Sequence, residues 1–222
     1  RGKSSGNTVR RVVDHLRSAA RTGAAAMPAV KHGLRQAEQG LGLLEHSLAQ
    51  VVPGVIRPRP RRLTVAVTAH CNLRCTGCRY GRDFMPGQQL SLAEMRQILD
   101  DAKASGVELV RLYGGEPLLH RDLPEMVRHS VSLGLATYVT TNGTLLRQKI
   151  DALFEAGLRN ITIGFYGTGA DYDRYVNRQD RFGKLEEGLR YARERYGSAL
   201  SLQLNYLVMR PTCNLASMRK AW

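Results

Sequence analysis

The stretch HCNLRCTGCRY, residues 70–80, places three cysteines at Cys71, Cys75 and Cys78. It follows the apolar run LTVAVTA at residues 63–69, which is typical of a buried β-strand. Because a strand fixes the start of the loop, three thiolates with the spacing C-x3-C-x2-C can reach one metal centre. Three protein ligands leave one coordination position open to a small molecule.

Two kinds of metal centre compete for these cysteines. A structural zinc site usually closes four ligands around one ion, and His70 or Cys213 would have to supply the fourth. A disulfide set is disfavoured, because three neighbouring cysteines are an odd number and no secretory signal is present. A four-iron cluster held by three thiolates suits the spacing better, since its remaining iron can accept a chelating ligand. We expect Cys213 to be a small buried residue.

Beyond the cysteines the chain alternates between strand-like and helix-like segments. Ser91 and Glu94 form a capping-box pattern at the start of the first helix, and Gly106 is placed to end it. The predicted strands are 63–69, 107–113, 136–141, 159–166 and 200–209, and the predicted helices are 90–106, 123–134, 145–156, 184–196 and a last one starting near 214. This alternation indicates an α/β protein with a parallel sheet. An open doubly wound sheet and part of a (β/α) barrel both fit it.

A second motif, YGGEPLL at residues 113–119, follows the second predicted strand. Together with the three-cysteine loop after the first strand, it resembles the radical S-adenosylmethionine (SAM) superfamily, over about residues 63–215. The resemblance implies a partial TIM-type barrel of five or six units in residues 63–222, with residues 1–62 as an N-terminal extension. Since the superfamily core usually has six strands, we expect the sixth to lie beyond Trp222.

The resemblance also implies cofactors and an activity. Cys71, Cys75 and Cys78 would hold three irons of a catalytic 4Fe-4S cluster, and SAM would chelate the fourth. An electron from a donor such as flavodoxin or ferredoxin would cleave SAM to methionine and a 5′-deoxyadenosyl radical, which abstracts hydrogen from the substrate. The candidate SAM-binding residues are Gly114, Gly115, Glu116, Pro117, Tyr80, Asn142, Arg178 and Asn205.

Each of these candidates has a specific expected role. The glycines Gly114 and Gly115 would let the backbone approach the methionyl amine. Asn142 would bond the nucleoside, although Asn-Gly is equally a common turn. Arg178 and Asn205 would contact the ribose or the SAM carboxylate.

The chain departs from the superfamily pattern at two places. Relatives often carry an aromatic residue before the third cysteine, where Gly77 stands here, and we expect Tyr80 to replace it. The fourth predicted strand ends in GFYG at residues 164–167 rather than in the S-x-D-G pattern of many peptide-modifying relatives. Tyr166 is therefore expected to face the substrate.

Positive charge is concentrated in residues 1–62, which carry +9 of the formal net charge of +14. Two amphipathic helices are predicted there, from Asn7 to about Ala26 and from Lys31 to Val52, followed by a proline-rich linker from Pro53 to Arg62. They suit either a packing layer or a basic surface for an anionic membrane or nucleic acid. No apolar run is long enough to span a membrane, and no export signal is recognisable. We therefore expect a cytoplasmic protein, at most peripheral to a membrane.

Three functions from different classes follow from these observations. The first is a radical SAM enzyme whose substrate the sequence leaves open, since fold alone does not determine substrate. The second is a metal- or cluster-binding scaffold without catalysis. The third is a nucleic-acid-binding module that uses residues 1–62, although this stretch contains no Phe, Tyr or Trp to stack on bases.

Overall fold

A computed structural model describes residues 60–80, 82–83, 85–210, 212–213 and 215–221, together with Gln36 and Gly40. The chain divides into two units, Arg1–Pro58 and Arg59–Trp222, and the elements named below belong to the second. The helices expected in residues 1–62 lie outside the described residues, apart from Gln36 and Gly40, which are both helical.

Strands and helices alternate along the second unit. Its strands are β1 (Arg62–Thr68), β2 (Leu109–Gly114), β3 (Ala136–Thr141), β4 (Asn160–Phe165) and β5 (Ser201–Tyr206). Its helices are α1 (Leu92–Ala104), α2 (Leu123–Ser132), α3 (Leu146–Glu155), α4 (Ala170–Val176), α5 (Arg181–Tyr196) and α6 (Leu215–Ala221). Short 3-10 helices lie at Pro117–Leu119 and Gly197–Ala199. All the predicted strands are present, whereas α4 was not expected.

The five strands are parallel and lie in the order β1-β2-β3-β4-β5. Each strand is therefore added beside the one before it. A doubly wound sheet would reverse its strand order partway, so that alternative is wrong and the predicted partial barrel is confirmed. Among the described residues the sheet does not close, and β1 and β5 form its two edges.

The two faces of the sheet differ in chemistry because side chains alternate along each strand. Val110, Leu112, Val139 and Ile163 are buried and share one apolar core with side chains from α1, α2, α3 and α5. The opposite face, which we call the open face, carries polar side chains, including Arg111, Tyr138, Thr140, Thr162, Gln203 and Asn205. The helices thus cover one side of the sheet and leave the other accessible.

The first helix begins and ends as its sequence predicts. The Ser91 hydroxyl accepts from the backbone N–H of Glu94 at 3.2 Å, and the Glu94 carboxylate accepts from the Ser91 N–H at 2.7 Å. Gly106 follows the helix with a φ of +86°, a conformation that glycine adopts without strain.

No helix in the described part of the chain is both long and apolar enough to cross a membrane.

Candidate cofactor site

The three cysteines lie in the loop that leaves the carboxyl end of β1. Cys71, Cys75 and Cys78 are all free thiols and all half-buried. Burial raises the pKa of Cys71. It raises the pKa of Cys75 to about 12, and the neighbouring Cys71 and Cys78 add to this rise. The three sulfur atoms are therefore close enough to influence one another.

The glycines of the second motif lie directly against the start of the cysteine loop. Gly115 donates its N–H to the Thr68 carbonyl at 2.8 Å, and Glu116 donates to the His70 carbonyl at 2.7 Å. A Cβ added to Gly114 would lie 2.2 Å from the Thr68 oxygen, and one added to Gly115 would lie 2.3 Å from the His70 oxygen. Both glycines are thus required for the backbone contact between the two motifs.

Glu116 is completely buried, and its carboxylate joins the end of β2 to the end of β3. One of its oxygens accepts from the Thr141 hydroxyl at 2.6 Å and from the Leu118 N–H at 3.0 Å. The other accepts from the Asn142 N–H at 2.8 Å. Burial raises the pKa of Glu116, and these hydrogen bonds oppose the rise. The structure therefore gives this side chain a role in holding the turn after β3 in place.

The Asn142 side chain is part of a small ring of hydrogen bonds. Its amide donates to the Asn72 side-chain oxygen at 2.9 Å, Asn72 donates to the Thr144 hydroxyl at 3.0 Å, and Thr144 donates back to the Asn142 oxygen at 2.7 Å. This ring ties the cysteine loop to the turn after β3. Both polar atoms of the Asn142 amide thus have protein partners, in keeping with the turn interpretation of Asn-Gly.

The second half of the cysteine loop is held by its own arginine and by α4. Arg82 donates to the carbonyl oxygens of Cys75, at 3.0 Å, and of Cys78. Asn177, the residue after α4, donates its side-chain amide to the Arg74 carbonyl at 2.8 Å. Neither contact is apparent from the sequence, where the one indication for Asn177 is the preference of Asn for turns.

Two tyrosines border the site on opposite sides. The Tyr80 ring packs edge-on against Tyr113, with ring centroids 6.3 Å apart. Tyr166 stacks on Tyr175 at 4.4 Å, and its hydroxyl lies 2.9 Å from the position that a Cβ of Gly164 would occupy. Tyr166 therefore extends across β4 beside a glycine. Burial raises its pKa, and the nearby Cys75 adds to this rise.

A cleft of about 440 Å³ runs along the open face and includes Arg111, Thr140 and Asn205. The Arg111 guanidinium donates to the Thr140 hydroxyl at 2.9 Å and lies 5.1 Å from the centre of the Tyr113 ring. The cleft is lined by strand residues, most of them from the amino-terminal halves of the strands, and no residue of the cysteine loop is among them. The cleft therefore offers a polar surface built from the strands.

The radical SAM superfamily profile matches residues 65–211 of this chain. The chain belongs to the radical SAM superfamily. The cofactors implied by its motifs, a 4Fe-4S cluster and SAM, are those of this superfamily.

Individual relatives resemble this radical SAM chain over part of their length. The GTP 3′,8-cyclase of Chlorobaculum tepidum is 36% identical over 148 residues, which cover 66% of this chain and 44% of that protein. The GTP 3′,8-cyclase of Aquifex aeolicus is 35% identical over 144 residues, covering 60% and 43%. The chain thus spans less than half the length of these relatives.

Solved structures support the fold of this radical SAM chain. Streptococcus suis SuiB bound to S-adenosylmethionine superimposes with a TM-score of 0.60 at 16% identity, covering 83% of this chain and 40% of that one. Methylornithine synthase superimposes with a TM-score of 0.56 at 17% identity, covering 72% and 49%. Both matches are too distant in sequence to indicate more than the shared architecture.

The donor set fits the cluster of a radical SAM protein better than it fits zinc. In the described part of the chain, no three His, Cys, Asp or Glu side chains are arranged to hold one metal ion, whereas a structural zinc site needs four. In a 4Fe-4S cluster each thiolate binds its own iron, so the sulfurs need not converge on one point. Cys213 is exposed rather than buried as expected.

Two of the expected SAM-binding residues line different clefts of this radical SAM fold. Asn205 lies on the open face, where it accepts from the Gln203 amide at 3.1 Å. Arg178 lies on the exposed turn between α4 and α5 and donates to the Asn177 carbonyl at 3.1 Å. Arg178 is not among the residues that line the cleft on the open face.

Proposed function

We propose that residues 63–222 form the catalytic core of a radical SAM enzyme and that residues 1–62 are an appendage to it. The observation that carries this proposal is the direct backbone contact between the cysteine loop and the Gly114–Pro117 turn at the carboxyl ends of β1 and β2. When bound, the cluster supplies the electron that cleaves the carbon–sulfur bond of SAM to give a 5′-deoxyadenosyl radical. The fold contributes the position of the reaction and a polar face for the substrate.

The residues of the chain divide the work of binding. Cys71, Cys75 and Cys78 would hold the cluster, and the Gly114–Gly115 backbone would receive the SAM amine. Pro117 is buried and begins the short 3-10 helix that follows. Tyr80 and Asn205 are the candidates for contact with the nucleoside. Asn142 and Glu116 support the site indirectly, by holding the turn after β3 in place.

We propose a nucleoside triphosphate such as GTP as the substrate. Two GTP 3′,8-cyclases are more than 30% identical to this chain over most of the core. Arg111 supports the proposal, since its guanidinium is fixed on the open face by Thr140 and Tyr113. A guanidinium with a fixed orientation suits phosphate oxygens, which it can bind with two parallel hydrogen bonds.

We also propose two macromolecular partners. A flavodoxin or ferredoxin would supply the electron, as the cluster chemistry requires a donor. The net charge of +9 on residues 1–62 favours contact with an anionic partner, and a membrane surface or nucleic acid fits it. Deletion of residues 1–58, which leaves β1 and the whole second unit in place, should remove salt-sensitive binding to anionic vesicles or RNA without removing SAM cleavage.

Anaerobic reconstitution with iron and sulfide tests the enzymatic proposal. The protein should bind about four irons and four sulfides per chain, and dithionite should then drive formation of 5′-deoxyadenosine from SAM. Cys75→Ala should lose both properties, and Cys213→Ala should keep them. A protein that holds the intact cluster but forms no 5′-deoxyadenosine would instead be a scaffold, and one that takes up zinc in place of iron would contradict the cluster assignment.

A binding measurement tests the substrate separately. Arg111→Met should weaken GTP binding about tenfold or more, because a hydrogen bond to a charged group contributes about 1.5–3 kcal/mol. Arg193→Met, an exposed change on α5, is the matched control and should leave affinity unchanged. Equal affinity of the two variants for GTP would contradict the proposed role of Arg111.

A further inference from the structure

The carboxyl end of α4 and the middle of the cysteine loop form one hydrogen-bonded unit. The last carbonyl groups of a helix have no partner within the helix, and here two of them are paired with the loop. The Val176 carbonyl accepts from the Arg74 N–H at 3.0 Å, and the Tyr175 carbonyl accepts from the Thr76 N–H at 2.9 Å. Cys75 lies between these two loop residues in sequence.

Asn177 adds a further hydrogen bond between the end of α4 and the cysteine loop. Its backbone is left-handed, with φ 51° and ψ 43°, which only Gly and, less often, Asn or Asp adopt routinely. Its side-chain amide donates to the Arg74 carbonyl at 2.8 Å. Arg74 therefore donates its N–H to the helix end and accepts through its carbonyl from the residue that follows it.

Position 177 could require asparagine either for its left-handed backbone or for its side-chain amide. Glycine would satisfy the left-handed backbone at least as well as asparagine. The amide adds a bond that spans 103 residues of sequence and reaches a loop between two cluster ligands. A hydrogen bond within the α4–α5 turn would have sufficed to end the helix, so this contact serves the cysteine loop.

We propose that Asn177 is a positioning residue that holds Cys75 in its ligand geometry by bonding the Arg74 carbonyl. The proposal rests on the assignment of Cys75 as a cluster ligand in the proposed function. Asn177 acts through the loop backbone and touches neither cofactor nor substrate.

The Asn177 bond should control how accessible the Cys75 thiol is. Cys75 packs against the apolar core, and the bonds on either side of it keep it there. Without the amide, the segment 74–76 opens more often, and the thiol becomes accessible to a small reagent. Loss of one net hydrogen bond should raise the open population about fivefold.

The test measures alkylation of the metal-free protein, so it does not depend on SAM cleavage. Brief treatment with iodoacetamide, followed by mass spectrometry of the cysteine peptides, gives the alkylation rate of Cys75 relative to the exposed Cys213. Asn177→Gly preserves the backbone conformation but removes the amide, and Asn177→Asp replaces the donor with an acceptor. Asp180→Gly is the matched control, because Asp180 lies in the same turn with a φ of 57° and does not contact the loop.

The expected result is an increase of about fivefold in the Cys75 to Cys213 ratio in both Asn177 variants, with Asp180→Gly at the wild-type ratio. In the reconstituted protein, the electron paramagnetic resonance spectrum of the reduced cluster should change in the Asn177 variants and not in Asp180→Gly. An unchanged alkylation ratio in Asn177→Gly, which should fold because glycine suits the backbone there, overturns the proposal. Failure of the wild-type protein to cleave SAM would instead count against the proposed function and leave this ratio measurable.

Discussion

Replacement of Glu116 by glutamine tests whether the carboxylate of the second motif has the structural role described above. The side chain is fully buried, and both of its oxygens accept hydrogen bonds, from Thr141, Leu118 and Asn142. Glutamine keeps the shape of glutamate but has only one acceptor oxygen. Whichever way its amide is turned, its NH2 group faces one of the two backbone N–H donors.

The magnitude follows from that geometry. The amide can still bond the Thr141 hydroxyl, which donates or accepts, but either the Leu118 or the Asn142 N–H is left buried without an acceptor. A buried donor without a partner costs about 1–3 kcal/mol. We therefore expect Glu116→Gln to lower the free energy of unfolding by that amount.

The pH dependence has a defined sign. Burial raises the pKa of Glu116 in the folded protein, so the stability that the protonated carboxyl contributes is present at low pH. It is lost as the pH rises from the unfolded pKa of the group through its raised folded pKa. Glutamine does not titrate, so the deficit of the variant should be larger near about pH 5 than near about pH 8.

Urea unfolding of the metal-free protein, followed by circular dichroism at both pH values, measures this deficit. Glu125→Gln is the control, since Glu125 on α2 is half-exposed and its pairing with Arg128 should contribute little. A Glu116→Gln protein as stable as the wild type would refute the hydrogen-bond argument. A deficit that grows with pH would refute the direction of the pKa shift.

Three further predictions concern other parts of the molecule. Gly115→Ala should lower the free energy of unfolding by about 1–3 kcal/mol, because the added methyl group would overlap a backbone oxygen of the cysteine loop. Gly183→Ala, at a position where nothing lies within 4 Å of the added methyl group, should instead stabilise α5 by about 0.5–1 kcal/mol. The same sign of change in thermal unfolding of both variants would contradict this. Tyr196→Phe should raise the pKa of Asp151, because the Tyr196 hydroxyl lowers this pKa in the wild type. The stability from this hydrogen bond is present near neutral pH and lost on acidification in the wild type, and the variant should lack it at all pH values. The same Asp151 pKa in both proteins, measured by carboxyl-carbon NMR titration, would show the bond to be unimportant. Cys213→Ser should leave both iron content and unfolding temperature unchanged, since the side chain is exposed, and a loss of iron would make it a ligand.

The order of elements and the positions of the two motifs at the ends of β1 and β2 could be predicted from the sequence. Both depend on local patterns, namely apolar runs, the capping box at Ser91 and glycines at the ends of strands. A short range of residues contains all the information that these features require.

The contacts that hold the site together could not be predicted in the same way. Helix α4 is only seven residues long, and its carboxyl end is stabilised by Arg74 and Thr76, about a hundred positions earlier. The oxygens of Glu116, a candidate for cofactor binding, accept hydrogen bonds from Thr141 and Asn142 at the end of β3, and no spacing rule connects these residues to Glu116. The hydrogen bond between Asn142 and Asn72 could not be predicted either, because the two residues lie 70 positions apart in the sequence.

The strand order has a consequence for how the protein is made. Each strand pairs with the one synthesised just before it, so the sheet can grow from one edge as the chain leaves the ribosome, without waiting for a later strand to be inserted between earlier ones. The hydrogen bond from Asn177 to Arg74 is an exception to this order of assembly, since it links the helix after β4 to the loop after β1. The cysteine loop emerges early but is fixed only after about a hundred more residues have been translated. Iron delivered before that point would meet a loop that has not yet acquired its final shape.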